Sequence, residues 1–463
     1  MADIGRVLFT AKEALLSNLT AINVTGSNIA NVNTPGYSRL RPMFESVGTS
    51  DASSNQEQVG VRVADIERIY DKFLEVEMVK QQSSLANYAT QEDLLKRVEG
   101  ILNENTGGGI NDALGEFLNA WGNLSVDPSS KSKRDMVVST GENLSYIFNQ
   151  RAEELINIQA TANNSVADTV ATLNRYLEQM ANYNELIVSV ESAGSSASSV
   201  RDKRGELLNE ISKIIDINYM EKSDGSLYIY LPTNGKALVE GVNNWELDVV
   251  DTNSDNLFDI VFTEYPTQSI NDQINGGKLA GLLEVRDNYI PSYLNQLNQT
   301  AGSIMGRVNT LHTTGYDQDG NPGELFFDFD PANAAKSMQV SITIAADTRK
   351  IAASATTNAD GDNATAMTAI KNEMNASLGN VSIDGYFNAF IANMGQDVAN
   401  AAQAVGRETT ILNQQIEQRE QVSGVSLDEE MMNLIKFQMA YGAAGRMTTT
   451  VNEMMDILMN LGR

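Results

Sequence analysis

The 463-residue chain has no cysteine, one histidine (His312), two tryptophans and eight prolines. Without cysteine there is no disulfide scaffold, no thiol nucleophile and no thiolate-bound zinc. A single imidazole removes histidine metal clusters and any mechanism that needs two of them. Positive charge is scarce too: 33 Lys and Arg stand against 60 Asp and Glu, a net charge of -27. Nucleic acid and anionic membrane surfaces both call for dense positive charge, so neither is expected as a partner. No run approaches the roughly 20 consecutive apolar residues of a membrane-spanning helix. The start, MADIGRVLFTAKEALL, lacks an uninterrupted apolar stretch and a small-residue cleavage site. The chain is therefore expected to be cytoplasmic, or to leave the cell by a route that cleaves nothing.

What is present is a core-forming composition, 42 % apolar and 20 % charged, on a chain long enough for roughly two to four domains. The acidity is uneven. In residues 1–60, Arg6, Lys12, Arg39 and Arg41 nearly balance Asp3, Glu13, Glu45, Asp51 and Glu57, a net of -1. Residues 415–463 come to -3, which leaves -23 for the middle. Near-neutral ends can pack side by side in many copies, and an acidic middle suits a solvated outer body.

The prolines, at 35, 42, 128, 232, 266, 291, 322 and 331, leave long intervals in which helices can run. Apolar residues in those intervals recur in steps of four and three. Ile4, Leu8, Ala11, Leu15, Ile22 and Ile29 do so near the N-terminus, with Asn18 and Thr25 at the missing steps. Val166, Val170, Leu173, Leu177, Met180 and Ile187 repeat the pattern around Asn184. It returns in Ile290–Leu311, in Phe387–Leu412 around Glu408, and in Leu427, Met431, Leu434, Phe437, Tyr441, Ala444, Val451, Met455 and Leu458. Such stripes are satisfied by other helices, as in bundles and coiled coils.

Residues 216–265 read differently. Leu227–Leu231, Trp245–Val250 and Phe258–Phe262 are short β-rich runs, separated by Asp224-Gly225, Asn234-Gly235 and the Asp/Asn-rich 251–256. This predicts a small antiparallel β domain inserted between helices. Residues 345–370 read as loop around a weak strand at Gln339–Ile344, and Ser192–Ser199 as a flexible break. The predicted fold is mainly α with that small inserted β domain: an elongated helical-bundle body with terminal helices pairing as a coiled coil. The expected division is 1–62 plus 415–463 as a terminal assembly domain, 63–215 plus 276–414 as the bundle with minor strands, and 216–275 as the β domain.

Residues 1–33 form one terminal helix candidate, ending at Asn31-Val-Asn33-Thr34-Pro35-Gly36-Tyr37, where Pro-Gly suits the centre of a type II turn. Residues 426–462 form the other, with Ser426 and Glu429 spaced as a capping box and Asp428 and Glu430 at the positive end of the dipole. Each has one apolar stripe and no neighbouring partner in sequence. Periodicity leaves two solutions open: they dock on the body as ordinary bundle helices, or they pair with each other and then with copies of themselves.

The run from Leu19 through Asn28, Asn31, Asn33 and Thr34-Pro35-Gly36-Tyr37 resembles the N-terminal signature of bacterial flagellar axial proteins (rod, hook and junction subunits). The run Gly424-Val-Ser-Leu-Asp428-Glu429-Glu430 through Tyr441, with Asn452-Glu453-Met454 and Leu458 through Leu461, is similar to their C-terminal helix. Three internal stretches narrow the likeness to the hook–filament junction type: Phe117 to Pro128 with Arg134, Gly281 to Asp287 with Ile290-Pro291, and Val308 to Gly320. Departures are a loose Ser199–Arg204 segment and a β insert too short for a second outer domain.

The resemblance implies a structural subunit rather than an enzyme, exported by the flagellar type III apparatus without signal cleavage and located outside the cell in the flagellum. Its terminal helices would be unfolded alone and would fold together on assembly. The implied interface residues are Ile4, Leu8, Leu15, Ile22 and Ile29 with Leu427, Met431, Leu434, Tyr441, Val451, Met455 and Leu458, beside the motif turn Asn31, Asn33, Thr34, Pro35, Gly36 and Tyr37. The implied partners are further copies of the chain, the hook protein, the second junction protein and an export chaperone of the FlgN type. Another axial subunit, hook or distal rod, is the alternative, against which the long helical stretch 66–215 and the small β content argue.

No convergent catalytic set is visible, and no cofactor is expected. Asp317, Asp319, Asn321 and Asp328 have EF-hand-like offsets, but Pro322 stands where that loop needs glycine. Asp251, Asn253 and Asp255 read as a turn. Gly107-Gly-Gly109 lacks the Lys-Ser/Thr of a phosphate loop, and His312 reads as a packed helix residue.

Overall fold

A computed structural model describes residues 2–34, 36–47, 60–102, 108–194, 196–357 and 360–461. Pro35 of the motif turn and Gly107 lie outside them. The chain opens with α1 (Ala2–Ala30), β1 (Leu40–Val47), β2 (Gly60–Arg68) and α2 (Lys72–Leu102), then α3 (Ile110–Val126), α4 (Lys131–Ser192) and α5 (Ser198–Ile214). Strands β3 (Asn218–Glu221), β4 (Leu227–Tyr230), β5 (Ala237–Glu240), β6 (Asn243–Asn244), β7 (Leu247–Val250) and β8 (Asp259–Phe262) follow. Next come α6 (Gly277–Glu284) and α7 (Ile290–Thr314). Short pieces β9 (Phe327–Asp328), α8 (Ala334–Ser337), β10 (Gln339–Val340), α9 (Ile342–Ala346), α10 (Asp362–Thr368), β11 (Met374–Asn375) and β12 (Val381–Ser382) lead to α11 (Ile383–Ser423) and α12 (Leu427–Leu461). The fold is mainly α with small β pieces. Among the described residues no helix is long and apolar enough to cross a membrane.

The chain divides into two compact units. The first comprises Met1–Ser84, Thr172–Glu246 and Glu408–Arg463. It holds α1 and α12, the β1–β2 hairpin, and the antiparallel meander β3-β4-β5-β6. Asp224-Gly225 and Asn234-Gly235 turn that meander, with Gly225 at φ +83° and Gly235 at φ +70°, the left-handed region where glycine carries no Cβ penalty. The stripe on the C-terminal part of α4 is buried at Leu173, Leu177, Met180 and Ile187. The break in that stripe, Asn184, is fully buried as well. Its amide donates to the carbonyls of Leu227 (3.0 Å) and Gly241 (2.8 Å) and accepts from the Leu227 N–H (3.0 Å), which ties the meander to the helix.

The second unit comprises Leu85–Ala171 and Leu247–Arg407. Its core is aromatic. Trp121 and Phe117 of α3 meet Phe326, with ring centroids 5.6 Å apart in both cases, and His312 of α7 stands edge-on to Trp121 at 6.2 Å. β7 and β8 form a hairpin here with Leu247 opposite Phe262. A single π turn, Val285–Tyr289, joins α6 to α7. Pro291 explains it: proline has no N–H to give the Asp287 carbonyl, and a widened turn absorbs the missing bond.

Two features differ from the sequence expectation. The β1–β2 hairpin is absent from it, because Pro42 demotes the first run and the connection 48–59, outside the described residues, carries no short turn signal. The weak strand expected at Gln339–Ile344 is present only as β10, with α9 taking over from Ile342, and the loop 345–370 is broken by short helical turns at Thr348–Lys350 and Asp362–Thr368. Ser341 opens α9 through its carbonyl, and Asp347 accepts the Arg349 N–H at 3.0 Å to open the turn that follows. The two Asp-rich segments are turns held by their own side chains: the Asp317 carboxylate accepts the N–H groups of Asp319 and Asn321, and the Asp251 carboxylate accepts those of Asp255 and Asn256.

Candidate assembly interface

Within the first unit α1 and α12 lie antiparallel, since the last turn of α1 meets the first turn of α12 at Asn28 and Glu430. Small and polar side chains dominate what they bury: Ala11, Ser17, Ala21, Val24, Thr25 and Asn28 on α1, and Glu430, Ala444 and Val451 on α12. Ser17 donates to the Val61 carbonyl of β2 at 2.8 Å, and Phe437 of α12 meets Phe44 of β1 with centroids 5.9 Å apart.

The larger apolar residues of the expected stripe fare differently. Ile4, Leu15, Ile22, Ile29 and Leu434 are half-buried, and only Val451 is fully buried. Leu8 is 36 % exposed, and Leu427, Met431, Tyr441, Met455 and Leu458 are 40–55 % exposed. At 3.6 residues per turn, Leu427, Met431, Met432, Ile435 and Met439 fall on the side of α12 turned away from Phe437, Ala444 and Val451. All five are 46–65 % exposed. Phe9, Leu16 and Leu19 are likewise open on α1. The sequence reading gave each terminal helix one apolar stripe; α12 has two, and its α1 partner covers one of them.

A polar clasp closes the base of the pair. The Asn28 amide accepts the Leu40 N–H (2.9 Å) and donates to the Leu40 carbonyl (2.8 Å), so the side chain pairs with the backbone as a strand would. It also donates to Glu430 (3.0 Å), and its oxygen accepts the Tyr37 hydroxyl (2.8 Å). Glu430 is 2 % exposed, and Arg39 neutralises it at 2.7 Å while reaching Glu429 with its other arm at 2.8 Å. The Arg39 N–H donates to the Ser423 carbonyl at 3.0 Å. Burial, outweighing a hydrogen bond with Ser27 that acts the other way, pushes the Tyr37 phenol above its ordinary value, so it stays a donor.

The motif turn sits beside this clasp. Asn31 donates to the Ser27 carbonyl (2.9 Å), Thr34 donates to the Asn31 side chain (3.2 Å), and Asn33 is exposed. The Tyr37 N–H closes on the Thr34 carbonyl at 3.2 Å, with Gly36 at φ +77° in the left-handed region that favours glycine. Arg419 donates to the Gly36 carbonyl (3.0 Å) and pairs with Glu75 (3.5 Å). Gly424 permits the chain to turn from α11 into α12, because a Cβ there would stand 2.2 Å from the Glu420 carbonyl oxygen.

Asn28, Arg39 and Glu430 are functional candidates that the stripe analysis passed over. The available signal was a polar residue just before Ile29, and two adjacent carboxylates that dipole and capping arguments had already absorbed. The interface holds no catalytic set, and among the described residues no three His, Cys, Asp or Glu side chains are placed to hold a metal. A cleft of about 500 Å³ in the second unit has Arg307 and Glu373 paired with each other at 2.6 Å.

Residues 95–327, just over half the chain, match the family of the flagellar hook-associated protein FlgK helical domain. Residues 417–461 match the flagellar basal body rod FlgEFG protein C-terminal family, and residues 8–37 the flagella basal body rod protein family. The flagellar hook-associated protein 1 of Bacillus subtilis is 30 % identical over 98 % of this chain and 97 % of its own length. The chain belongs to the FlgK family. The Salmonella typhimurium flagellar hook-associated protein 1 is 23 % identical over 97 % of this chain and 99 % of its own. The structure of the flagellar hook junction protein FlgK from Burkholderia pseudomallei shares the fold, with a TM-score of 0.67, 15 % identity, and coverage of 75 % of this chain and 100 % of that one. As a FlgK-family member the chain is a structural subunit of the bacterial flagellum, at the hook–filament junction, and it assembles with other flagellar components. The two rod-type matches coincide with α1 plus its motif turn and with α12, the two halves of the interface.

Proposed function

We propose that residues 1–62 and 415–463 act as one assembly module, which completes its folding only when neighbouring subunits cover it. The observation that carries this is the second apolar face of α12. A helix that is apolar on two sides is a buried helix, and α1 covers one side only. Isolated helices are marginal in water because nucleation is costly. Covering the remaining surface of Leu427, Met431, Met432, Ile435 and Met439 contributes roughly 4–8 kcal/mol gross, at about half the 1.5–3 kcal/mol of a fully buried side chain.

In this reading the module stacks against copies of itself, against the hook protein on one side and against the second junction protein on the other. Before assembly the apolar face needs a cover, which an export chaperone of the FlgN type supplies, and the subunit leaves through the type III apparatus without cleavage. On the same reading, residues 63–215 with 276–414 form the solvated body and 216–275 supply a small β insert.

The test is Ile435→Asp in a strain lacking the chromosomal copy. Burying an unpaired carboxylate in the covered face costs about 3 kcal/mol or more, so incorporation falls at least ~100-fold. The free variant keeps its far-UV circular dichroism, is still exported, and accumulates in the medium. In the wild-type protein, protease cuts within 1–62 and 415–463 rapidly in the free subunit and slowly in the assembled one. Normal swimming by the Ile435→Asp strain overturns the reading.

A further inference from the structure

We propose that the buried Asn28–Glu430–Arg39 clasp sets the register of α1 against α12, with Asn28 as the positioning residue. The inference rests on the assembly module proposed above and assigns a role within it. The side chains that are fully buried on the two helices are small: Ala11, Ala21 and Val24 on α1, Ala444 and Val451 on α12, with larger ones such as Leu15 and Leu434 only half-buried. Small side chains leave shallow ridges, so sliding one helix by a turn meets little steric opposition. Apolar contact alone then specifies proximity without specifying alignment. Buried polar groups behave differently, since a one-turn slip leaves each of them unpaired in a dry environment.

The clasp has the parts that such a device needs. Asn28 is 1 % exposed and Glu430 2 %. The Asn28 amide joins α1 to two other parts of the chain: the oxygen takes the Leu40 N–H and the Tyr37 hydroxyl of the segment after α1, and the nitrogen gives to the Leu40 carbonyl and to Glu430 of α12. Arg39 supplies the only counter-charge drawn to both Glu429 and Glu430 among the described residues, so it recognises the first turn of α12 as a unit. The partners Asn28 and Glu430 are 402 positions apart in sequence. The clasp therefore closes only when the two ends of the chain meet in one alignment. A single buried polar residue fixes strand alignment in coiled coils in the same way. Register matters here because a one-turn slip, about 5 Å, would move the outer face of α12 relative to every neighbour that has to seat on it.

The absence of cysteine permits a clean measurement. Spin labels at Leu16→Cys and Lys436→Cys, on exposed positions of α1 and α12, report the alignment as a distance distribution. Labelled full-length subunits are diluted into unlabelled wild-type subunits and assembled, and the free subunits are measured in parallel. The wild-type background gives one narrow distance. Asn28→Ala gives a second population displaced by about one helical turn. The paired change Asn28→Leu with Glu430→Leu is the decisive variant: it replaces the clasp with apolar contact, restores assembly yield, and still gives two populations. One unshifted population in both variants, in either state, overturns the proposal and leaves the clasp as a source of affinity alone. A failure of the module itself reads differently, because Ile435→Asp would then swim while these distances still shifted.

Discussion

Acid is the perturbation for which this structure makes the sharpest numerical statement. His312 is 0 % exposed, and both of its ring nitrogens are used: Nδ1 donates to the Glu324 carbonyl, and Nε2 accepts the Ala352 N–H at 2.9 Å. That arrangement requires the neutral ring. Burial, only partly offset by the carbonyl bond, lowers the imidazole from 6.5 to about 4. The unfolded chain therefore takes up a proton at a pH where the native chain does not, and stability falls as pH drops. The loss begins near pH 6.5, continues to about pH 4 and then levels off, since both states are protonated below that. At 1.36 kcal/mol per pH unit the full loss is about 3 kcal/mol, of which about 2 kcal/mol is already spent at pH 5. Ordinary carboxylates titrate mostly below this stretch. Trp121, 6.2 Å from His312, reports the unfolding of this unit once Trp245→Phe silences the other tryptophan. Urea midpoints between pH 7 and 5 should fall in that background and stay flat with His312→Gln added. As the chain has one histidine, its C2–H resonance reads the titration directly. A midpoint near 6.5, or a glutamine variant with the same pH slope as the parent, would refute the argument.

Asn184→Ala removes the partner of the Leu227 N–H and carbonyl and of the Gly241 carbonyl, all in the first unit. Orphaned groups cost about 1–3 kcal/mol each, so thermal unfolding should show a loss of about 3 kcal/mol or more and the meander amides should lose hydrogen-exchange protection first. Gly323→Ala places a methyl 2.0 Å from the His312 carbonyl oxygen and 2.7 Å from the Ala352 side chain. The His312 carbonyl is backbone and cannot step aside, so a loss of about 3 kcal/mol in denaturant unfolding is expected. Leu434→Asp, on the half-buried side of α12, should disturb the α1–α12 pair within one chain, visible as lost helical signal, whereas Ile435→Asp one residue on should leave that signal intact.

The helices were legible because apolar stripes dictate them: Val166, Val170, Leu173, Leu177 and Met180 are all buried along α4 as the spacing demands. The β runs at Leu227, Leu247 and Ile260 were legible from alternation and from Asp-Gly and Asn-Gly turns. What the stripes could not give was orientation. Leu427 and Met431 share a spacing with Leu434 and Val451, yet the first two face solvent and the others face inward. A chain that must satisfy several neighbours carries more than one apolar stripe, and spacing alone does not say which stripe its own fold uses. The interface list drawn from sequence thus mixes half-buried or buried residues of the pair with residues exposed to solvent.

Buried asparagines on the helices, only one of them a break in a stripe, carried the rest of the information. Asn184 on α4 pairs with both the N–H and the carbonyl of Leu227, Asn309 on α7 does the same to Phe327 at 2.8 Å each way, and Asn28 on α1 to Leu40. In each case a helix presents one amide to an incoming extended segment and completes its hydrogen bonding, which a helix backbone, already spent on itself, cannot do. Asparagine suits this because its side chain offers an acceptor and two donors in a plane, as a peptide group does. Aspartate keeps the acceptor, loses both donors and brings a charge into a dry site. Asn309→Asp, which is nearly isosteric, should therefore cost at least as much stability as Asn309→Ala. An aspartate variant as stable as wild type at pH 7 would show that shape, and not the paired donor and acceptor, is what holds the Phe326–Phe327 segment against α7.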